Sequence, residues 1–533
     1  MSGKAGFTIL IKFAALAGVL YVGLLVSCSY NNAGQETQKE LTLQYALDAG
    51  MARREGIVKP DYNMLRPLAD ERERLGGEWI EQFGEDYLVQ LLLQSMMPIA
   101  RAERISSSDA IADARALLWL LRLHYGAYVY YGGDEVFVPL FNRIIEELAG
   151  QDEWDAGQDF GDFAEVLHGH LMDVVIDNHV HIGNRVLGAH GAWTLSPYGL
   201  TEMPLGIVSD FFVGTAGFER SVRGFRSKEN GLYVVSVSGY DIEQVFRLSI
   251  ADSGELVYKP VIVVPGRTES LLYLLELVYE NGEHETISLY RHDANQRRTL
   301  EQPSLARRNG IPVVNIMRMG FHPNEAYARQ FLAYAEKLRD EDIVIIDIRS
   351  NMGGNNLLSA QFLHRLTGEI VPTNSIILNL GNHRQMMDAL AAVPSDSPFY
   401  RPLDDFETYH PTTSLGEGHF VWNYTADRLV PNEQLIIFLT DRHTKSAGEG
   451  FIDLALNLQN SLIIGQNTAG VISKTGGPAF FLPNSGVIVG FGPGIFFYPD
   501  DLISEGVGFA PDIWAIGDAL DAALVLVQLH LSL

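Results

Sequence analysis

Leu435-Ile436-Ile437-Phe438-Leu439-Thr440-Asp441-Arg442-His443-Thr444-Lys445-Ser446-Ala447-Gly448-Glu449 opens on a short apolar run and passes through a polar turn into an amphipathic stretch. An apolar run without polar alternation predicts a strand buried on both faces. Ala447 to about Leu458 reads as a helix, and Leu462–Gly465 as the next strand. The alternation holds upstream, with strands at Ile311–Met319 and Ile343–Ile348 and a helix at Leu357–Leu366. Between the first two, Tyr327, Phe331, Tyr334, Ala335 and Leu338 line one helix face. Strand followed by helix, repeated, predicts a sheet covered by helices. Its loops gather at the carboxyl ends of the strands, where active sites of α/β folds lie.

Ser446 stands where turn becomes helix. A serine there caps the first turn by accepting a backbone N–H. The position also suits a nucleophile: unpaired N–H groups and the partial positive charge of a helix start stabilise the oxyanion of an acyl-transfer intermediate. The Ala447 N–H is well placed for this. Upstream, Asp347-Ile348-Arg349-Ser350-Asn351-Met352-Gly353-Gly354 follows the strand Ile343–Ile348. Paired glycines fit a tight turn, and they also let a backbone N–H approach a substrate carbonyl as a second oxyanion donor.

The chain has 533 residues, too many for one ordinary core, so about two to four units are expected. A net charge of −27 argues against a nucleic-acid partner, which needs clustered Lys and Arg. Lys4 and Lys12 precede an apolar run, Phe13–Val26, with the shape of a signal peptide. The run closes on Leu25-Val26-Ser27-Cys28, which looks like the lipobox of bacterial lipoproteins. Cys28 is the only cysteine, so no disulfide forms within the chain. Residues 29–40 are polar and aperiodic, as in a tether. From 41 to 178 the pattern is helical, including Ala110–Leu123 and a face of Phe163, Val166, Leu167, Leu171, Val174 and Val175. Between 196 and 300 short β-type runs, Leu232–Val237, Val257–Val264 and Thr286–Tyr290, are broken by Gly and Pro turns.

Four segments in chain order carry a resemblance: Asp347 to Gly354, Thr444 to Glu449, Gly465-Gln466-Asn467-Thr468-Ala469-Gly470, and Glu505-Gly506-Val507-Gly508-Phe509-Ala510-Pro511-Asp512. Each alone is weak; the ordered set resembles the core of the C-terminal processing and tricorn-type serine peptidases. The resemblance implies a peptidase core of the ClpP/crotonase-like type, with Ser446 as nucleophile and oxyanion donors near Gly353 or Gly354 and at Ala447. It implies a polypeptide substrate and no cofactor. For 196–300 it suggests a degenerate PDZ-like module, with a plain β-rich linker domain as the alternative.

Processing peptidases use a lysine after Thr-Phe-Gly, but here Thr468-Ala469-Gly470 is followed by Val471, which cannot accept a proton. Lys474, three residues on, is expected to be a solvated loop lysine. Tricorn-type members instead place a histidine in the helical domain and a glutamate before a Gly-x-Pro-Asp segment. This chain offers Asp177-Asn178-His179 at the end of the Phe163 helix, and Glu505. The resemblance therefore implies His179 as general base, with Glu505 supporting it through a neighbouring polar group. Asn178, where the tricorn type has a serine, is the auxiliary group.

The fold class expected is multidomain α+β. It comprises a lipoprotein signal peptide (1–27), a tether (28–40), a helical domain carrying His179 (41–195), a β-rich domain (196–300) and an α/β serine peptidase core (301–533). The protein is expected outside the cytoplasm, held to a membrane of the bacterial cell envelope by acyl chains on Cys28. Two rival readings stand beside this one. Asp177-Asn178-His179-Val180-His181, with His168 and His170, resembles the Asp-x-His-x-His of metal-dependent hydrolases. Alternatively, the peptidase fold is kept as a binding module without activity.

Overall fold

The apolar runs that opened the sequence become neighbouring strands of one sheet. In the computed structural model the described residues are 41–58, 60, 65–157, 161–187, 209–250, 254–265, 268, 270–292, 302–320, 325–379, 412–416, 419–422, 428–499, 502–503 and 505–531. The expected signal peptide, Cys28 and the tether lie outside them. Ser304–Arg308 pairs antiparallel with Ile311–Asn315. Parallel pairing then runs through Ile343–Asp347, Leu435–Thr440, Ser461–Gly465, Ile513–Ala515 and Phe246–Ile250.

Alternation along these strands sorts side chains into two cores. Val344, Ile346, Ile436, Phe438 and Ile463 face one cluster. It is covered by helices Glu325–Lys337, Asn356–Thr367 and Ala447–Ala455, through Phe331, Phe362 and Phe451. Phe331 stacks on Phe362 at 4.2 Å, and Phe451 meets Phe438 edge-on at 5.2 Å. Ile345, Ile437, Leu439, Leu462 and Ile464 face the other cluster, beneath helices Leu43–Glu55 and Ala519–Leu531. Burial on both faces is why these strands lack polar alternation.

The same sheet continues antiparallel from Phe246–Ile250 through Leu256–Pro265, Ser209–Gly214, His284–His292, Leu272–Tyr279 and Val234–Val237. Two parallel rungs, Trp514 with Ser249 and Ala515 with Ile250, join the β-rich segment to the core strands. A buried Arg442–Asp210 pair at 3.3 Å reinforces the junction, and Arg442 lies 4.5 Å over the Phe211 ring. The mixed α/β architecture expected from the sequence is present.

The N-terminal region packs helices Ser107–His124, Gly133–Leu148 and Asp162–Met172 around Tyr128, Phe137 and Phe141. The Phe163 helix stops at Met172 instead of running on to Asp177. Val175 still donates to the Leu171 carbonyl at 2.8 Å, but Asp177 then takes the His179 N–H at 2.8 Å and turns the chain. β-branched residues at Val174, Val175 and Ile176, followed by Asp177 and Asn178, favour that exit over further helix. Beyond the turn, His181–Ile182 pairs with Arg185–Val186 and with Ile488–Gly490. Phe480, Val489, Phe491 and Ile495 belong to the same core as the helical region, so the His179 turn is docked against the C-terminal segment.

Candidate active site

Thr440 ends its strand at the carboxyl edge of the sheet, and Ser446 caps the helix Ala447–Ala455 that follows. Ser446 holds φ 51° and ψ −121°, a conformation that L-residues other than glycine adopt rarely and that costs about 1–3 kcal/mol. The turn before it is fixed by Asp441, which accepts the Ser350 N–H at 2.8 Å and the His443 N–H at 3.0 Å. Thr444 donates through Oγ1 to the Ile348 carbonyl at 2.9 Å. The Asp347–Gly354 turn is thereby laced to the Ser446 turn. Arg349 adds a buried double contact to Asp347, at 2.8 and 2.9 Å.

Gly353 sits at φ +86° against the serine, so that an added Cβ would lie 2.6 Å from Ser446 Cβ. Gly354, at φ +140°, would place a Cβ on the Met319 carbonyl. Both positions require glycine. The Gly353 N–H is already engaged, donating to Asn351 Oδ1 at 2.9 Å. Gly354 and Ala447 therefore remain as sources of oxyanion donors, and the Ala447 N–H, first in its helix, has no intrahelical acceptor.

Glu449, fully buried, draws four donors beneath the serine. Its Oε2 accepts the N–H groups of Ser446 (3.0 Å) and Val471 (2.8 Å). Its Oε1 accepts Thr468 Oγ1 (2.6 Å) and the Gly470 N–H (2.7 Å). Burial pushes the carboxyl up to about 7, against the pull of these donors. The sequence signal was a Glu three residues after a helix-capping Ser, read in a motif but given no role.

His179 arrives from 267 positions away, with Nε2 3.2 Å from Ser446 Oγ. Burial lowers its pKa below 6.5; Asp177 and Glu505 oppose that shift, while Lys474 and Lys445 add to it. A neutral ring is thus kept beside the hydroxyl near neutral pH. Glu505 does not meet the ring by a hydrogen bond among the described residues. Its Oε1 accepts both the backbone N–H of Asn178 (3.2 Å) and Asn178 Nδ2 (2.7 Å), and its Oε2 accepts Ser473 Oγ. Asn178 thus ties Glu505 to the turn that carries the histidine.

Lys474 departs from expectation: it is 7% exposed, not solvated. Its Nζ donates to the Ile176 carbonyl at 3.1 Å and to Ser473 Oγ at 3.0 Å, and lies 3.9 Å from Glu505. Burial would depress its pKa, but Glu505, Asp177 and Tyr131 more than offset this and hold it above the usual lysine value. A lysine held charged by these neighbours is poorly suited to take a proton from Ser446.

The other histidines diverge. His168 Nε2 meets the Val186 carbonyl at 2.9 Å, and His170 meets Glu147 at 2.8 Å. His181 packs against Gly490 and is pushed down to about 4 by burial. Among the described residues no three His, Cys, Asp or Glu side chains converge as a metal site would require. The last motif divides its labour: Glu505 faces the site, while Asp512 binds Arg54 at 2.6 Å and the Ile463 N–H at 2.9 Å, clamping helix Leu43–Glu55 to the sheet.

Comparison with known proteins finds similarity for the segment that carries Ser446. The model of peptidase family S41 matches residues 311–514, less than half of the chain, and this span holds Gly353, Ser446, Lys474 and Glu505. Comparison with curated protein sequences returns no significant match. Among solved structures, mature CPAF complexed with lactacystin shares 13% identity over 80% of this chain and 98% of that one, with a TM-score of 0.38. The photosystem II D1 C-terminal processing protease shares 13% over 78% and 93%, with a TM-score of 0.31. The tricorn protease shares 14% over 80% of this chain and 37% of that one, at 0.31. Residues 311–514 are thus similar to peptidase family S41, a family of serine-type peptidases.

Proposed function

We propose that this protein hydrolyses peptide bonds through an acyl-enzyme on Ser446, with His179 as general base and Glu505 holding the histidine turn through Asn178. The observation that carries the reading is the 3.2 Å approach of His179 Nε2 to Ser446 Oγ at a helix start. Ser446 Oγ attacks the scissile carbonyl carbon as its proton passes to His179 Nε2. The oxyanion is received by the Ala447 and Gly354 N–H groups. His179 then returns the proton to the leaving amine, and water repeats the sequence to release the acyl group.

The protein is read as an exported lipoprotein anchored through Cys28, on the strength of the Leu25-Val26-Ser27-Cys28 motif after an apolar run. Failure of a labelled fatty acid to enter wild-type protein, or its entry into Cys28→Ser, contradicts the anchor. The activity is tested on protein beginning after Cys28, against a broad peptide library. Wild type turns over, while Ser446→Ala and His179→Ala each lose several orders of magnitude, because members of one catalytic unit fail together. Turnover should rise with pH through an ionisation below 6.5, as burial of His179 requires. No turnover by wild type favours the binding-module reading.

A further inference from the structure

We propose that Asp177, not Glu505, is the carboxylate that orients and stabilises the protonated His179 ring. This rests on the Ser446–His179 reading above and adds a residue to it.

When Nε2 accepts the serine proton, the neutral ring must carry its own proton on Nδ1, and that N–H needs an acceptor. His179 Nδ1 is buried and has no hydrogen-bond partner. Asp177 Oδ1 is 3.9 Å from it, too long for a resting hydrogen bond yet within one side-chain adjustment. The carboxylate is already held in place. Oδ1 accepts the His179 backbone N–H at 2.8 Å, and Oδ2 accepts the Tyr125 hydroxyl at 2.8 Å. Asp177 and Tyr125 are buried, so the attraction between carboxylate and imidazolium is weakly screened. Tyr125, Asp177, His179 and Ser446 thus form one line of polar groups.

Glu505 is differently occupied. Asn178 and Ser473 take its two oxygens, and Lys474 lies beside it. Its charge is committed to the loop that carries the histidine. The charged groups acting on the ring are then Asp177 and Glu505, which favour imidazolium, and Lys474 and Lys445, which oppose it. His181, two residues away, is itself neutral near pH 7. As Ser446 attacks, the Nδ1 proton stays on the ring, whose N–H closes on the anchored Asp177 Oδ1, so no proton passes to the carboxylate.

The test reads the His179 ionisation by NMR in full-length Ser446→Ala, where no turnover is needed; His179→Gln identifies the resonance. Asp177→Asn should lower the His179 pKa by about one unit or more, whereas Glu505→Gln should shift it less. In active protein, Asp177→Asn should lower kcat at least as much as Glu505→Gln, with KM nearly unchanged and the acid limb moved to lower pH. Tyr125→Phe, which leaves the charge in place, should lower kcat less than Asp177→Asn. Should Asp177→Asn misfold, Tyr125→Phe and Asp177→Glu are read instead, and Asp177→Glu should return the acid limb towards wild type. An unchanged His179 pKa in Asp177→Asn, or a larger drop in Glu505→Gln, overturns the proposal. Activity surviving in Ser446→Ala or His179→Ala instead overturns the reading on which it rests.

Discussion

Ser446 is held at φ 51° by its surroundings, through the Glu449 carboxylate on its N–H and the Gly353 turn against its Cβ. Glycine adopts such a φ without penalty, so the strain has a direct readout. Ser446→Gly and Ser446→Ala both remove the hydroxyl and should both abolish turnover. In urea unfolding, the glycine variant should exceed the alanine variant in stability by about 1 kcal/mol. Equal midpoints would mean that the turn is not strained. The serine and the glycine pair could be picked out from sequence because each belongs to the ordered motifs, and the histidine only through what the tricorn-type resemblance implies. Asp177 and Glu449 could not be given roles, since their acceptors and donors come from segments far apart in the chain: Tyr125 reaches Asp177 across 52 positions, and Val471 reaches Glu449 across 22. Lys474 was misjudged for the same reason. A loop position in sequence says nothing of the Tyr131 ring and the Ile176 carbonyl that cover it.

At the scale of elements, Glu449 joins the start of helix Ala447–Ala455 to the Thr468–Val471 loop. Its carboxyl is raised from 4.5 to about 7 in the folded protein by burial. A raised folded value means that the native state binds more protons than the unfolded chain between those limits. The associated stability is full below about 4.5 and is lost as pH rises through about 7, at most about 3 kcal/mol. Glu449→Gln should flatten that part of the pH–stability curve between pH 5 and 8. An unchanged slope would show that another group sets it. Strands and helices of the core were legible because their periodicity is local: Leu435–Thr440 is a strand as read, and Leu357–Leu366 falls within helix Asn356–Thr367. The end of the Phe163 helix was not. Val174 and Val175 fit the helical period, but the helix ends at its C-cap Asp173, and Asp177 turns the chain beyond it by accepting the His179 N–H.

Across the whole molecule, the site exists only because distant regions meet. The turn carrying His179 comes from the helical region, Ser446 from the parallel strands and Glu505 from the final motif. Which strands pair across such distances is not written in hydrophobic periodicity, so the joining of Phe246–Ile250 to Ile513–Ala515 emerges only in three dimensions. The histidines that suggested a metal site are sent to separate partners by the same packing. Peptidase activity should therefore survive a strong chelator such as 1,10-phenanthroline within about twofold; loss restored by added zinc would return the metal-hydrolase reading. The most direct measurement of the central claim is labelling with a serine-reactive fluorophosphonate, followed by mass spectrometry of the peptide containing Ser446. The hydroxyl beside a neutral His179 should form a single adduct at Ser446, absent in Ser446→Ala and strongly slowed in His179→Ala. No adduct on folded wild-type protein, or one that persists in Ser446→Ala, would contradict the assignment of Ser446 as an activated nucleophile.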